Sequence, residues 1–266
     1  MIDIGVNFTN KRFDKDRSDV IQRAINNNIH AFLVTGTNIE ESKKALELCQ
    51  QFPDYLSCTA GVHPHDADHV SVNYLEEIAE LASHHHVKAI GECGLDFNRN
   101  FSDPAQQIIV FQQQINLAIA LNLPLFLHQR DAFEPWLELL RPALGKVPAM
   151  VSHCFTGNKK ELDRCLAADM YIGVTGWLCD ERRGQELRDI IKYIPLNRLM
   201  IETDAPYLTP RNIRPKPKSS RNEPAYLRYI IQTYADITGI PSQVIIEQST
   251  INAQKIFDLP MSQKGT

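Results

Sequence analysis

Eight short runs of apolar, often β-branched residues are spaced along the whole chain, with helical periodicity between them. The runs are Met1–Asn7, Ala31–Thr35, Leu56–His63, Val87–Glu92, Leu123–His128, Ala149–His153, Met170–Thr175 and Leu199–Asp204. They are near-continuous rather than alternating, the pattern of strands buried on both faces of a parallel sheet. The intervening segments carry helix-start signals. Asn38 precedes Ile39–Gln51 with Glu40 and Glu41 in its first turn, and Ser102-Asp103-Pro104 opens a helix to about Leu121. Further helices are expected over Asp16–Asn27, Asn73–His84, Asp131–Leu140, Lys159–Ala168, Glu181–Ile194, Pro224–Thr238 and Pro241–Phe257. Eight such units in 266 residues is the arithmetic of an α/β (β/α)8 TIM-type barrel, taken as one domain over residues 1–266. An open doubly wound sheet has the same count of elements and stays as the alternative.

Composition excludes several classes. Hydrophobic residues are 43% and charged residues 23% of the chain, ordinary values for a soluble globular protein. No run of about 18 apolar residues occurs, so no membrane helix is expected. The first residues lack a basic stretch followed by an apolar one, so no signal peptide is expected either. Cys49, Cys58, Cys93, Cys154, Cys165 and Cys179 form no C-x-x-C pair and read as reduced core thiols of a cytoplasmic protein. The formal charge of −4 gives no global sign of a nucleic-acid partner. Split by position, it is +5 over residues 211–228 and −9 over the rest.

In a barrel, chemistry sits at the C-terminal ends of the strands. His63 ends the third expected strand, Glu92 the fourth, His128 the fifth, His153 the sixth and Asp204 the eighth. One such residue is ordinarily a capped or solvated side chain; five on one rim are not explained that way. Side chains alternate along a strand, so Ile90 should face inward with Glu92, Phe126 with His128 and Val151 with His153. Glu202 should then lie one layer beneath Asp204, placed to accept a hydrogen bond from a ligand histidine. Cys93 and Cys154, of opposite parity to their neighbours, should face the helices. Imidazoles and carboxylates without thiolate suit Mg²⁺, Mn²⁺ or Zn²⁺.

Five stretches, Gly61-Val62-His63-Pro64-His65, Gly91-Glu92-Cys93-Gly94-Leu95-Asp96, Leu127-His128-Gln129-Arg130, Ser152-His153-Cys154-Phe155-Thr156-Gly157 and Glu202-Thr203-Asp204-Ala205-Pro206-Tyr207, together resemble the signature of the TatD family of metal-dependent deoxyribonucleases. The resemblance runs from the first strand to the Pro-rich loop. It implies a distorted TIM barrel and a magnesium-dependent 3′–5′ exonuclease of single-stranded DNA and RNA, linked to repair of oxidative damage. The chain departs from the family at its first strand, where Gly5 and Asn7 stand in place of a His-x-His pair. A single-ion or weakly binuclear centre is therefore expected.

On this reading Glu92, His128, His153 and Asp204 hold the metal, and Asp204 also takes a proton from the attacking water. His63, apart from that set, contacts phosphate or protonates the leaving group, and Glu202 completes the catalytic group. Arg130, Trp177, Arg214 and Lys216 are the candidate substrate contacts, with Phe97 and Tyr207 as further stacking surfaces. The loop bearing Arg211, Arg214, Lys216, Lys218 and Arg221 reads equally as a phosphate track or as a solvated loop kept extended by prolines. His84-His85-His86 reads as solvated loop at the far end of the barrel. The expected partner is a single strand of DNA or RNA, and the expected state a monomer. Rival readings are a barrel metallohydrolase of an amide, ester or lactone bond, and a nucleic-acid-binding protein without activity. Glu92 stands where many amide hydrolases of this type carry a carboxylated lysine, which favours the nuclease.

Overall fold

The computed structural model describes residues 1–260. Eight strands, β1 (Ile2–Val6), β2 (Ala31–Val34), β3 (Leu56–Ala60), β4 (Val87–Asp96), β5 (Leu125–Arg130), β6 (Met150–Ser152), β7 (Tyr171–Val174) and β8 (Leu199–Ile201), follow one another in a single sheet. Every ladder is parallel. The sheet forms a nearly closed TIM-type barrel, which removes the open doubly wound alternative.

The helices between the strands are α1 (Arg17–Asn26), α2 (Ile39–Gln51), α3 (Tyr74–Ala82), α4 (Pro104–Leu121), α5 (Phe133–Leu140), α6 (Lys159–Ala167) and α7 (Gln185–Ile190); α8 (Leu227–Thr238) and α9 (Ser242–Phe257) follow β8. Local chemistry sets their starts. Asn38 caps α2 by accepting the Glu41 N–H, and Asp103 caps α4 ahead of Pro104. The helix expected over Glu181–Ile194 is shorter than that. Asp180 accepts the Arg182 N–H and its carbonyl accepts the Gly184 N–H, so the chain turns there and only Gln185–Ile190 is α-helical. No helix among the described residues is long and apolar enough to cross a membrane.

Inside the barrel Ile2, Ile4, Ala31, Leu33, Ala89, Phe126, Val151, Tyr171 and Met200 form one apolar cluster, closed from below by Phe257 of α9. Phe126 stands between Phe257 and the ring of His153, with centroids 6.4 and 4.7 Å away. The packed floor thus ends directly under the polar rim. His84, His85 and His86 lie at the opposite end, before β4. His86 is buried, and its carbonyl accepts the Cys58 N–H, so only His84 and His85 fit the solvated-loop reading.

The seam between β1 and β8 is thin. It consists of an isolated bridge, Val6 to Ala205, with Asn7 N–H to Ala205 O and Asp204 N–H to Gly5 O, both 2.8 Å. Asp3 reinforces it from the outer face. Its buried carboxylate accepts the Thr203 N–H at 2.9 Å, the Thr203 hydroxyl at 2.5 Å and the Gly5 N–H at 3.3 Å. Burial lifts the Asp3 carboxyl to about 7 despite these donors. Removing it leaves buried donors without an acceptor, so Asp3→Ala should lower stability by about 1–3 kcal/mol. Urea unfolding followed by circular dichroism checks this, and an unchanged midpoint would show that the seam does not depend on Asp3.

Candidate metal centre

Glu92 occupies the middle of the rim because β4 breaks register there. Gly91 pairs with Phe126 and Cys93 with the next residue, Leu127, which leaves Glu92 without a partner across the ladder. Alternation is lost at that point. Ala89 and Glu92 both face inward, while Ile90, expected inside, packs in the outer core. Beyond the break alternation resumes, and Glu92, Gly94 and Asp96 share a face.

The Glu92 Oε1 atom has three imidazoles around it. His128 Nδ1 is 2.9 Å away, His63 Nε2 3.4 Å and His153 Nε2 3.6 Å. Glu92 is 6% exposed, and burial alone would raise its carboxyl. The imidazoles of His63 and His153 and the hydrogen bond from His128 hold it well below the usual range. His63 is therefore not apart from the ligand set; it stands beside His128 with ring centroids 4.4 Å apart. The expected strand end at His63 is also displaced: β3 stops at Ala60, and His63 caps the following short 3₁₀ turn by accepting the His65 N–H.

Glu202 lies under this layer with no exposure. Its Oε2 is 2.6 Å from His153 Nδ1 and its Oε1 accepts the Cys154 N–H at 2.6 Å. The carboxylate sits between two glycines. A Cβ on Gly5 of β1 would collide with its Oε2, and one on Gly173 of β7 with its Oε1. Gly5 is thus the room that Glu202 needs. Glu202 does not line the cavity, so it orients His153 rather than touching a reactant. Burial pulls His153 down, but Glu202 and Glu92 outweigh it and raise the imidazole to about 10.

Asp204 faces the rim from a left-handed backbone (φ 54°). Asn7 Nδ2 donates to its Oδ1 at 3.0 Å. Burial, joined by the charges of Glu92 and Glu202, lifts its carboxyl to about 7 against the pull of His153. Cys154 does not face the helices as parity predicted. Its own left-handed backbone (φ 45°) turns the thiol into the cavity beside Asp204.

Two functional groups were missed in the sequence. Asp96 Oδ2 lies 2.7 Å from His65 Nε2 and 3.5 Å from His128 Nε2, a carboxylate behind an imidazole as Glu202 is behind His153. Parity carried upward from Glu92 would have found it. The buried Gln107 and Gln114, two turns apart on α4, clamp the two loops that present these residues. Gln114 accepts the Val62 N–H and donates to the Val62 carbonyl; Gln107 accepts the Asp96 N–H.

All of this opens into a cavity of about 1770 Å³. Arg130 and Trp177 line it, as do Phe97 and Tyr207. Arg183 lies 4.5 Å over the Trp177 ring and bonds Asp180. Arg214 and Lys216 lie outside the lining and are exposed. In the same loop Arg221 is committed to Asp16 and Glu223, each within 2.8 Å.

Three imidazoles converging on one buried carboxylate, two of them backed by further carboxylates, fit a divalent cation. His128 Nε2 is buried and makes no hydrogen bond, Asp96 Oδ2 lying 3.5 Å away, which leaves that nitrogen free as a donor to a cation.

A model of TatD related DNases matches residues 2–258. The chain belongs to that family. It is 51% identical over 259 residues to a protein from Erwinia tasmaniensis named 3′-5′ ssDNA/RNA exonuclease TatD, covering 97% of this chain and all of that one. A protein of the same name from Escherichia fergusonii is 49% identical over 97% of this chain and 99% of its own length. Among solved structures, a TatD homolog from Escherichia coli superposes with TM-score 0.87 at 26% identity, and a TatD family hydrolase from Entamoeba histolytica with 0.89 at 28%, each covering 98% of both chains. A dihydroorotase from Campylobacter jejuni shares the fold alone, at 14% identity and TM-score 0.59 over 98% of this chain and 84% of its own.

Because Gly5 makes the slot for Glu202, Gly5→Ala should destabilise the family member described here by about 1–3 kcal/mol through overpacking. It should also free the His153 ring. The check is the His153 Nδ1–H resonance in proton NMR: a slowly exchanging signal in the wild type, lost in the variant. An unchanged signal would show that Glu202 does not need the slot.

Proposed function

We propose that this chain is a divalent-metal-dependent nuclease that removes nucleotides from the 3′ ends of single-stranded DNA and RNA. The observation that carries the reading is Glu92 buried at the meeting point of His63, His128 and His153, in a chain about half identical to proteins named for that activity. Glu92, His128, His153 and Asp204 would hold the ion, most simply Mg²⁺, with Mn²⁺ and Zn²⁺ compatible with the same donors. The bound ion supplies Lewis acidity at phosphorus and a water of lowered pKa.

The remaining work falls to side chains. Asp204, poised near 7 and held at one oxygen by Asn7, accepts a proton from water at neutral pH. Burial pushes His63 down to about 4, so it is neutral. Its Nδ1 accepts the His65 N–H, which leaves the proton on Nε2. From there it donates to a phosphate oxygen or to the departing 3′-oxygen. Arg130 offers a second contact to phosphate, and Trp177, backed by Arg183, a surface for a base.

Arg214, Lys216 and Lys218 make no ion pair among the described residues. Their charge is available to draw a polyanion toward the rim rather than to hold it there. The protein acts as a single catalytic domain, a cytoplasmic monomer, on this reading. Hydrolysis of an amide or lactone remains the chemical rival, because activated water attacks carbonyl carbon as well.

The decisive experiment uses 5′-end-labelled single strands. Mononucleotide release from the 3′ end should stop in EDTA, return with Mg²⁺ and fall at least ~100-fold in Asp204→Asn. Release that survives both treatments would sink the metal mechanism, and release of 5′ label first would reverse the polarity. A second experiment separates contact from steering. Arg130→Ala should reduce kcat/KM at every ionic strength. The Arg214→Ala, Lys216→Ala, Lys218→Ala triple variant should reduce it only below about 0.1 M salt, where screening is weak. A triple variant that matches the wild type at low salt removes the loop from the substrate path.

A further inference from the structure

Two separate groups of metal-capable side chains face the cavity. One is His63, Glu92 and His128; the other is His153, Cys154 and Asp204, whose donor atoms lie within 4.8 Å of one another. The second group differs in kind because it contains sulfur. Cys154 is partly exposed while the other five cysteines are buried. Its placement follows from the backbone: Cys154 and Asp204, both non-glycine residues in the left-handed region, turn their side chains toward one volume. Left-handed backbone at such residues clusters at functional sites. Thr175 Oγ1 lies 3.6 Å from Sγ, and is itself fixed by the Trp177 N–H. Glu202 occupies Nδ1 of His153, so its Nε2 is the nitrogen left for a ligand.

We propose that His153, Cys154 and Asp204 form a site for a thiophilic divalent cation, Zn²⁺ or Cd²⁺, distinct from the position centred on Glu92. Zinc takes sulfur at about 2.3 Å and imidazole or carboxylate at about 2.0–2.2 Å, and three protein ligands leave a fourth position open to the cavity. Magnesium takes oxygen and passes over sulfur, so thiolate is what separates the two positions. On binding, the S–H bond breaks, the proton leaves to solvent and the sulfur lone pair forms the bond to the ion, with no change of oxidation state. The consequence rests on the function proposed above: an ion here takes His153 and Asp204 from the catalytic position, so the site is inhibitory.

The test is a titration of the metal-free full-length protein with Cd²⁺, following the ultraviolet charge-transfer band of a cadmium–thiolate bond. The wild type should give one equivalent of this band. Cys154→Ser should abolish it, and Cys179→Ser, which alters a buried thiol away from the rim, should retain it. Asp204→Asn should keep the band and weaken the affinity by at least the tenfold or so that loss of an outer partner costs a metal site. A band that persists in Cys154→Ser, or Asp204→Asn with wild-type affinity, overturns the site. If Cys154→Ser does not fold, the Asp204→Asn affinity decides. No turnover is needed. A protein that shows the Cys154-dependent band but releases no nucleotide overturns the nuclease reading alone, and the converse result overturns this one alone.

Discussion

Burying an ionised carboxylate is among the most expensive things a fold can do, and this barrel does it at the centre of its open end. Among the described residues no lysine or arginine pairs with Glu92; what surrounds it is imidazole, a group whose charge can be given up. The rest of the rim answers that choice. Glu202 and Asp96 stand behind His153 and His128, and each of these carboxylates is in turn held by backbone N–H groups. The cost of this polar layer is carried by the apolar column below it, where Phe257 and Phe126 fix the floor on which His153 rests.

The succession of strands and helices was legible from period, whereas closure into a barrel was not, because an open doubly wound sheet has the same elements. All eight strands lie within or beside the apolar runs, because a strand buried on both faces reads as a continuous apolar run and these runs are of strand length, with β-branched residues and helical periodicity between them. Strand-end residues were legible for the same reason, since a barrel has one functional rim. What alternation could not show was where it stops. At Glu92 the ladder slips by one residue, so Ile90 goes out and Ala89 comes in. At Cys154 one left-handed residue brings a thiol into the site that parity assigned to the core. Both are local backbone events set by packing between neighbouring strands, and a one-dimensional reading has no access to them.

Charge was the least legible property. The basic loop after β8 read equally as a phosphate track or as a solvated loop, and its members differ in role once their partners are seen. Arg221 joins Asp16 and Glu223 and so ties the loop to the start of α1, whereas Arg214, Lys216 and Lys218 stay outside the cavity with their charge unspent. The basic groups that line the cavity come from other parts of the chain: Lys11, Arg17, Lys44, Arg99, Arg130 of β5 and Arg183 of the turn before α7. Buried glutamines were likewise invisible. Gln107 and Gln114 belong to no motif, yet they hold the backbone at Asp96 and at Val62, beside His63.

The thin seam between β1 and β8 has a consequence for motion. Every other pair of neighbouring strands forms a parallel ladder, but here two backbone hydrogen bonds and the Asp3 clip do the joining, and both of those bonds come from residues of the rim or their neighbours, Asp204 to Gly5 and Asn7 to Ala205. Opening the barrel and disassembling the centre are therefore one event. Asn7 and Asp204, joined by a side-chain hydrogen bond, stand on opposite sides of that seam. A cation bridging Asp204 to the other strands would act as a rivet across the least-stitched edge, so the closed barrel and the loaded centre stabilise each other.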